Sequence, residues 1–134
     1  MKREFLITQD GSVTIHLPDW NEQYHSKHGA INEALHVFID SGLKHLINSK
    51  DHQDTGISIM EIGFGTGLNA LLTLLYGEES RQGINYVGVE AYPVDTSEVV
   101  MLNYPELLNV PEEIFRKLHV IPWEEALSIS EVYT

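Results

Sequence analysis

Short alternations of hydrophobic and polar residues open the chain and predict a β-hairpin. The runs Phe5–Thr8 and Ser12–Leu17 lie on either side of Asp10–Gly11, and an Asp-Gly step readily adopts the positive φ angles of a tight turn. Alternate residues of a strand point to the same side. One face of the second strand therefore carries its apolar residues, which are Val13, Ile15 and Leu17.

A helical period follows in the stretch YHSKHGAINEALHVFI, from Tyr24 to Ile39. Apolar residues at i, i+4, i+7 and i+8 predict one buried helix stripe, made of Ile31, Leu35, Phe38 and Ile39. We expect Gly42 to break or bend this helix, and Ser49–Gly56 to be a polar linker. The segment 1–56 therefore reads as an N-terminal α+β extension.

A strand, a glycine loop, a helix and a second strand come next, and this order predicts a βαβ unit of a parallel sheet. The apolar strand Ile57–Ile62 leads into Gly63–Gly67, and the apolar segment Leu68–Tyr76 forms the helix. After a turn, Ile84–Glu90 reads as a second, buried strand. Further helices are predicted near Val99 and over 111–118. We assign residues 57–134 to the N-terminal half of an α/β domain.

Composition narrows the class of protein. A chain of 134 residues with 43% hydrophobic and 21% charged residues suits one globular domain. It has no cysteine and no apolar run near the ~20 residues that a membrane span needs, so a cytoplasmic location is the expectation. The net charge of −12 argues against strong binding of nucleic acid by this chain alone, because phosphate contacts need cations.

The loop Glu61–Gly67, with the sequence EIGFGTG, carries the chemical signal. Glycines at alternate positions allow a sharp turn and let a ligand lie directly against the backbone. A P-loop would need Gly-Lys-Ser/Thr, and a dinucleotide fingerprint would need glycine where Leu68 stands. The pattern E-x-G-x-G-x-G is similar to the first motif of class I S-adenosylmethionine-dependent methyltransferases.

An acid at the end of the next strand supports a nucleoside ligand. Glu90 follows Gly67 by 23 positions, close to the offset of about 20 residues at which an acid meets ribose hydroxyls in nucleotide-binding βαβ units. A carboxylate accepts hydrogen bonds from both hydroxyls of a ribose. The alternative is a loop that only shapes a tight turn, with Glu90 as a solvated strand end.

The histidines around the first helix allow several interpretations. A metal site would use residues at helical spacing, namely His25, His28, Glu33 and His36. The chain lacks a motif such as H-E-x-x-H, so we predict no metal site and expect His36 to pack in the core. Tyr24, His25 and Ser26 form either a loop over the cofactor or substrate, or a helix start with Ser26 as N-cap. We assign the remaining histidines, His16, His45, His52 and His119, to the surface.

Four segments together resemble the MnmC-like methyltransferase family: QDGSVTI, YHSKHGAINEALHVFI, EIGFGTGLNALLTL and VGVEAYP. This family includes the methyltransferase domain of the bifunctional enzyme that completes 5-methylaminomethyl-2-thiouridine at the tRNA wobble position. The resemblance implies a Rossmann-like S-adenosylmethionine-dependent methyltransferase core with an N-terminal extension. It also implies methyl transfer from S-adenosylmethionine to the amine of a 5-aminomethyl-uridine, with tRNA as the partner of the intact enzyme.

The resemblance assigns roles to residues of this chain. Residues at the cofactor are expected to be Glu61, Gly63, Phe64, Gly65, Thr66, Gly67 and Asn69, with Glu90 on the ribose hydroxyls. Residues on the substrate side are expected to be Tyr24, His25 and Ser26.

The family pattern also predicts what this chain lacks. An Asp-Ala-Phe-Pro-like motif after the fourth strand is absent, and the chain stops near Val132–Thr134, where a third strand is expected to begin. We therefore expect an inactive fragment with its catalytic residues beyond Thr134. The unpaired edge of an incomplete sheet favours a homo-oligomer. Two alternatives stay open: a small-molecule methyltransferase, and a non-catalytic interaction module.

Overall fold

The computed structural model describes residues 1–49 and 55–134. The strands in these ranges are β1 Glu4–Ile7, β2 Val13–Leu17, β3 Glu22–Gln23, β4 Ile57–Ile62 and β5 Ile84–Val89. The helices are α1 Ala30–Ala34, a π-helix Leu35–Lys44, α2 His45–Ile47, α3 Leu68–Ser80, α4 Thr96–Val99, α5 Tyr104–Leu108 and α6 Glu112–Val120. The fold is α/β, with an antiparallel sheet β1-β2-β3 and a small parallel sheet β4-β5. No helix in the described ranges combines the length and the apolar character needed to cross a membrane.

The predicted N-terminal hairpin is confirmed. Strands β1 and β2 pair antiparallel, with Ile7 opposite Val13 next to the turn. Gly11 has φ +85° and donates its N–H to the Thr8 carbonyl at 3.0 Å, so the Asp-Gly step makes the turn as expected. The alternate side chains Val13, Ile15 and Leu17 are all buried.

The same turn caps the first helix. Gly29 occupies the N-cap position of α1, so the prediction of Ser26 as N-cap is wrong. The Ser26 hydroxyl instead accepts the N–H of His28 at 3.1 Å. The amides at the start of a helix have no partner within it. Side chains of the hairpin turn accept them: Thr8 from Ala30 at 3.1 Å, Ser12 from Ile31 at 3.1 Å, and Asp10 from Asn32 at 2.9 Å.

The helix does not break at Gly42, which was one of the two predicted effects of this residue. Helix α1 continues into the π-helix Leu35–Lys44, and a last α-helical turn, α2, ends at Ile47. Gly42 lies inside this continuous run. Residues 50–54 of the predicted linker lie outside the described residues.

The π-helical segment also changes which side chains are buried. Its hydrogen bonds run from i to i+5, so each turn is wider than in an α-helix. The buried positions are therefore spaced five and four residues apart, at Ala34, Ile39 and Leu43. The wider turn leaves Leu35 37% exposed, so its predicted place in the buried stripe is wrong. His36 is exposed as well, which corrects its expected packing in the core.

The predicted βαβ unit is present. Strands β4 and β5 are parallel and in register from the pair Ile57–Ile84 to the pair Ile62–Val89. Helix α3 connects them and extends to Ser80, beyond the predicted end at Tyr76. Gly77 lies inside the helix, and a Cβ at this position would come 3.0 Å from the Ile84 side chain, so α3 packs closely against the start of β5 there.

One face of the parallel sheet is exposed, although β5 was predicted to be a buried strand. Ile57 and Ile84 are buried on the face covered by α3. The side chains that alternate with them point outward: Met60 is 68% exposed and Ile62 is 76% exposed, with Val87 and Val89 beside them. Parallel sheets are normally covered on both faces, so this surface departs from the usual arrangement.

The C-terminal helices connect the hairpin to the βαβ unit. Tyr104 on α5 is fully buried, packs edge-on against Phe115 on α6 and donates its hydroxyl to the Val13 carbonyl at 2.7 Å. The side chain of Asn103 accepts the Val13 amide and donates to the Gly11 carbonyl, each at 2.9 Å. These contacts bind the hairpin to the rest of the fold.

The end of the chain lies against β5 where a third strand was predicted. Tyr133 forms a parallel bridge with Ile84, and the Ile84 amide donates to the Val132 carbonyl at 2.7 Å. The Tyr133 ring stacks on Tyr86, with ring centroids 5.8 Å apart. The segment around Tyr133 thus lies next to β5 and adds one parallel residue pair, Ile84–Tyr133, to the sheet β4-β5.

Candidate functional site

The glycine loop between β4 and α3 has a backbone that favours glycine. Gly63, Gly65 and Gly67 have φ angles of +85°, +57° and +75°, all in the left-handed region that other residues rarely adopt. The Val89 carbonyl accepts the amides of Gly63 and Phe64, at 2.8 and 3.0 Å. The alternate glycines therefore permit a turn that returns the chain to the end of β5.

Aromatic side chains surround this loop closely. A Cβ at Gly65 would lie 3.1 Å from the Tyr24 ring, and a Cβ at Gly88 would overlap the Phe64 ring. A Cβ at Gly67 would approach His119 Nε2 to 2.9 Å. The loop is thus held between the segment that precedes α1 on one side and α6 on the other.

Glu90 bridges the loop and the end of β5. Its Oε2 accepts the Gly65 amide at 2.7 Å, and its Oε1 accepts the Tyr92 amide at 3.0 Å. A carboxylate offers about four lone-pair sites. Each oxygen of Glu90 therefore keeps acceptor capacity for a donor on a ligand.

Glu61, at the end of β4, lies deeper. It accepts the Tyr86 hydroxyl at 2.6 Å and the Asn69 side-chain amide at 2.9 Å. Burial raises the pKa of the Glu61 carboxyl above its ordinary value, and these two hydrogen bonds only partly oppose that effect. The predicted site residues Glu61 and Asn69 are thus brought together in a direct contact.

Two cavities lie on either side of the Gly65–Glu90 contact. The smaller measures about 320 Å³, and the larger about 410 Å³. Phe64, Gly65 and Glu90 line both. The walls of the smaller cavity are mainly apolar, and its lining includes Trp20, Tyr24, His25, Glu61, Asn69 and Tyr92. The larger cavity has a mainly apolar wall that includes Val94, Leu118, Ile121, Trp123 and Ile129.

Comparisons with known proteins show what the chain resembles. No protein-family profile matches it. The tRNA 5-methylaminomethyl-2-thiouridine biosynthesis bifunctional protein MnmC of Legionella pneumophila strain Corby is 29% identical over 128 residues, which cover 87% of this chain and 19% of that protein. The protein of the same name from Magnetococcus marinus is 32% identical over 97 residues, covering 69% of this chain and 14% of that protein.

A solved structure supports the same relationship over nearly the whole chain. The crystal structure of MNMC2 from Aquifex aeolicus superposes with a TM-score of 0.66 at 26% identity, covering 99% of this chain and 41% of that chain. The chain belongs to an MnmC-like family. It spans less than a fifth of the bifunctional relatives it matches, and less than half of the solved structure.

The substrate-side residues predicted for this MnmC-like chain are only partly brought together. Tyr24 and His25 line the smaller cavity. His25 Nδ1 lies 2.9 Å from the Thr14 hydroxyl, and burial lowers the pKa of the imidazole below its ordinary value. Ser26 is not among the residues that line either cavity; its amide donates to Glu33 at 2.6 Å in the turn before α1. Its proposed contact with a substrate therefore lacks geometric support.

Thr66 lies in the predicted loop, but its polar atoms are used by the protein itself. The side chain is buried, and its hydroxyl lies 3.2 Å from that of Tyr104, whose single proton is donated to the Val13 carbonyl. Its carbonyl accepts a hydrogen bond from His119 Nε2 at 3.0 Å. The Thr66 side chain of the MnmC-like chain thus contacts the core, although the residue also lines the smaller cavity.

His119 was missed by the sequence analysis, and its assignment to the surface is wrong. The ring lies between Phe115 and Phe64, with centroid distances of 4.8 and 5.5 Å. Burial lowers the pKa of His119 to about 4, so the imidazole is neutral near pH 7. In the sequence, only the i, i+4 spacing from Phe115 indicated that His119 could pack against an apolar neighbour on the same helix face. The hydrogen bond of His119 to the glycine loop joins residues 53 positions apart.

The other histidines do not form a metal site within the described parts of the chain. In residues 1–49 and 55–134, no group of three or more histidine, aspartate or glutamate side chains is placed to hold an ion. His28 is exposed next to Gln9, His45 is exposed, and His16 is half-buried. His52 lies outside the described residues.

Proposed function

We propose that this chain supplies the cofactor-binding part of an S-adenosylmethionine-dependent methyltransferase. The observation that carries the proposal is the Glu90 carboxylate, which lies at the glycine loop between the two cavities. We assign residues 57–134 to the N-terminal half of a Rossmann-like methyltransferase domain and residues 1–56 to its extension. The structural match to MNMC2 supports this assignment, because it covers both segments.

The residues present fit the chemistry of this cofactor. S-Adenosylmethionine carries a ribose diol between an adenine and a charged methionine end. Glu90 keeps acceptor capacity for the diol, and a carboxylate would repel the 2′-phosphate of a phosphorylated dinucleotide. The larger cavity beside it, with Trp123 and Ile121 in its wall, suits a purine, and the smaller cavity, with Glu61 and Asn69, suits the amino-acid end.

In this proposal the glycine loop binds by its backbone. Gly63, Phe64, Gly65, Thr66 and Gly67 would lie along the cofactor between its ribose and its methionine end. Gly65 is already fixed through its amide, which donates to Glu90. A change at Glu90 would therefore affect both the ribose and the position of the loop.

We infer that the methyl acceptor is the aminomethyl group of a modified wobble uridine in tRNA. The names of the two MnmC relatives support this inference, since both are tRNA 5-methylaminomethyl-2-thiouridine biosynthesis proteins. The sulfonium of the bound cofactor supplies an activated methyl group. The contribution of the chain is then to hold donor and acceptor in line, which can account for much of the acceleration of such a reaction. Tyr24 and His25 border the cavity on the side where the acceptor would enter.

Calorimetry with S-adenosylmethionine and S-adenosylhomocysteine tests the cofactor site. Glu90→Ala should weaken binding by roughly 10- to 100-fold, because two hydroxyl donors lose a charged acceptor. Glu79→Ala is the matched control, since Glu79 is an exposed glutamate on α3, and it should leave the affinity unchanged. Equal affinity of the wild-type chain and Glu90→Ala would refute the ribose assignment. Binding of FAD or NAD in place of S-adenosylhomocysteine would refute the proposed cofactor.

Tryptophan fluorescence reports which cavity the ligand enters. The chain has two tryptophans: Trp20 lines the smaller cavity, and Trp123 lines the larger one. A ligand that spans both should change the emission of Trp20→Phe and of Trp123→Phe alike. A response that disappears in one variant would assign the ligand to a single cavity, contrary to the proposal.

The net charge favours a second candidate. A chain with net charge −12 suits a small-molecule acceptor better than a polyanion. Filter binding at low salt with the intact enzyme that contains this chain separates the two: measurable affinity for tRNA bearing 5-aminomethyl-uridine, above that for the unmodified tRNA, supports the tRNA assignment. No difference between the two tRNAs would favour the small-molecule acceptor.

A further inference from the structure

The peptide unit between Thr66 and Gly67 is fixed at both of its polar ends. The Gly67 amide donates to the Phe64 carbonyl at 3.0 Å. The Thr66 carbonyl accepts from His119 Nε2 at 3.0 Å. Helix α3 has no amide for this carbonyl, because Gly67 is the N-cap and its own carbonyl accepts the first helical hydrogen bond, from Leu71. Of the two ends, only the carbonyl is held from outside the loop.

This contact defines the chemical state of His119. A carbonyl oxygen can only accept, so Nε2 must carry the proton. Burial between Phe115 and Phe64 keeps the imidazole neutral near pH 7, as the lowered pKa of about 4 indicates. A neutral donor at this position can orient the carbonyl without placing a positive charge beside the glycine loop.

The close packing around the loop also restricts the position of the His119 ring. A Cβ at Gly67 would lie 2.9 Å from His119 Nε2 and 3.0 Å from the Phe64 ring. The Phe64 ring in turn occupies the space beside Gly88, where a Cβ would overlap it. The histidine ring, the phenylalanine ring and the two glycines therefore fit together in one arrangement.

We propose that His119 is a positioning residue, whose Nε2–H holds the Thr66–Gly67 peptide in the orientation that the glycine loop needs to bind its ligand. His119 also lines the larger cavity, but its hydrogen-bonding edge faces the loop backbone. It acts on the ligand through the loop. The proposal rests on the proposed function for the identity of that ligand, and on the loop geometry for everything else.

Two variants separate the hydrogen bond from the packing. His119→Leu removes the donor and still fills the space with a side chain, whereas His119→Gln keeps an N–H donor. His45→Leu is the control, since His45 is exposed in α2. Calorimetry with S-adenosylhomocysteine should give an affinity roughly 5- to 30-fold weaker for His119→Leu, as expected for one lost hydrogen bond at a site fixed before binding. His119→Gln should bind within about 3-fold of the wild-type chain, and so should His45→Leu.

Amide hydrogen exchange supplies a readout that does not depend on the ligand. The Gly67 amide should exchange at least about 10-fold faster in His119→Leu than in the wild-type chain or in His119→Gln, because freeing the carbonyl frees the peptide plane. Thermal unfolding of all variants detects a purely structural effect. Such an effect would lower stability in Leu and Gln variants alike, and would not restore affinity and protection selectively in His119→Gln.

The outcomes distinguish the two proposals. If the wild-type chain binds S-adenosylhomocysteine and all three variants bind equally well, the positioning role is overturned and the cofactor assignment stands. If the wild-type chain binds neither S-adenosylmethionine nor S-adenosylhomocysteine, the proposed function fails. Exchange at Gly67 then decides the positioning role alone: equal protection in His119→Leu and His119→Gln overturns it.

Discussion

Tyr86→Phe tests the buried contact beneath the glycine loop. The Tyr86 hydroxyl donates to Glu61 at 2.6 Å, and the phenylalanine variant removes this donor while it keeps the ring that stacks on Tyr133. Glu61 is buried, and Asn69 is its other side-chain donor. The substitution therefore isolates one hydrogen bond to a buried carboxyl group.

The expected loss is large for a single hydroxyl. A hydrogen bond to a charged group is worth about 1.5–3 kcal/mol, and a buried acceptor that loses its donor cannot regain it from water. We therefore expect Tyr86→Phe to lower the free energy of unfolding by about 2 kcal/mol at neutral pH. The larger stacking and packing contributions of the ring should be unaffected.

The loss should also depend on pH. Burial raises the pKa of Glu61 above its unfolded value of 4.5, so the native state holds more protons than the unfolded state in the interval between them. Stability from this group is therefore lost as the pH rises through that interval. Removing the Tyr86 donor raises the pKa of Glu61 further, so the variant loses more stability on going from about pH 5 to about pH 7.5 than the wild-type chain does.

Urea denaturation of both proteins at the two pH values measures this difference, and the effects of other titrating groups cancel between them. Tyr76→Phe is the matched control on α3, where the ring contact with Lys44 is kept; it should cost less than about 0.5 kcal/mol. If Tyr86→Phe costs no more than the control, or costs the same at both pH values, the Tyr86 hydroxyl does not stabilise a buried Glu61 carboxylate as described.

Three further changes probe other contacts. Gly88→Ala should lower the free energy of unfolding by about 1–3 kcal/mol, because the new Cβ overlaps the Phe64 ring; an unchanged melting temperature in calorimetry would contradict this. Ser12→Ala removes the buried hydroxyl that caps the Ile31 amide and should cost about 1–2 kcal/mol in urea denaturation. A decrease of less than about 0.3 kcal/mol in the free energy of unfolding would argue against a capping role for Ser12. Because burial lowers the pKa of His119 to about 4 from 6.5, the unfolded state binds more protons between these values. The stability of the wild-type chain relative to His119→Gln should therefore rise with pH through this window, by up to about 3 kcal/mol, and a constant difference would contradict the assigned pKa.

The turns and the buried face of a strand were predicted from short sequence patterns. The glycines of the loop at 63–67 and the Asp10–Gly11 turn were identified because positive φ angles restrict the residue type at those positions. The alternation in β2 predicted that Val13, Ile15 and Leu17 are buried, because alternate residues of a strand point to the same side. Each of these features depends on residues within a few positions of one another.

The errors have a common cause in contacts or geometry that such patterns do not contain. The stripe through Leu35 assumed an α-helical period, but the π-helix shifts burial to Ile39 and Leu43. His119 has a polar side chain near the end of a helix, and only its distant partners Phe64 and Thr66 bury it. The hypothesis of a cofactor site could thus be derived from motif and spacing, whereas the contact of His119 with the loop required the fold.

The contacts of α5 have a consequence for protein engineering. Tyr104 holds the Val13 carbonyl of the hairpin and the Thr66 hydroxyl of the glycine loop with a single hydroxyl group, and Asn103 fixes the hairpin turn from the neighbouring position. A designer who moved the loop EIGFGTG onto another βαβ scaffold would transfer its glycines but leave these supports behind. The smallest transplantable unit is the loop together with the hairpin, α5 and the histidine-bearing end of α6.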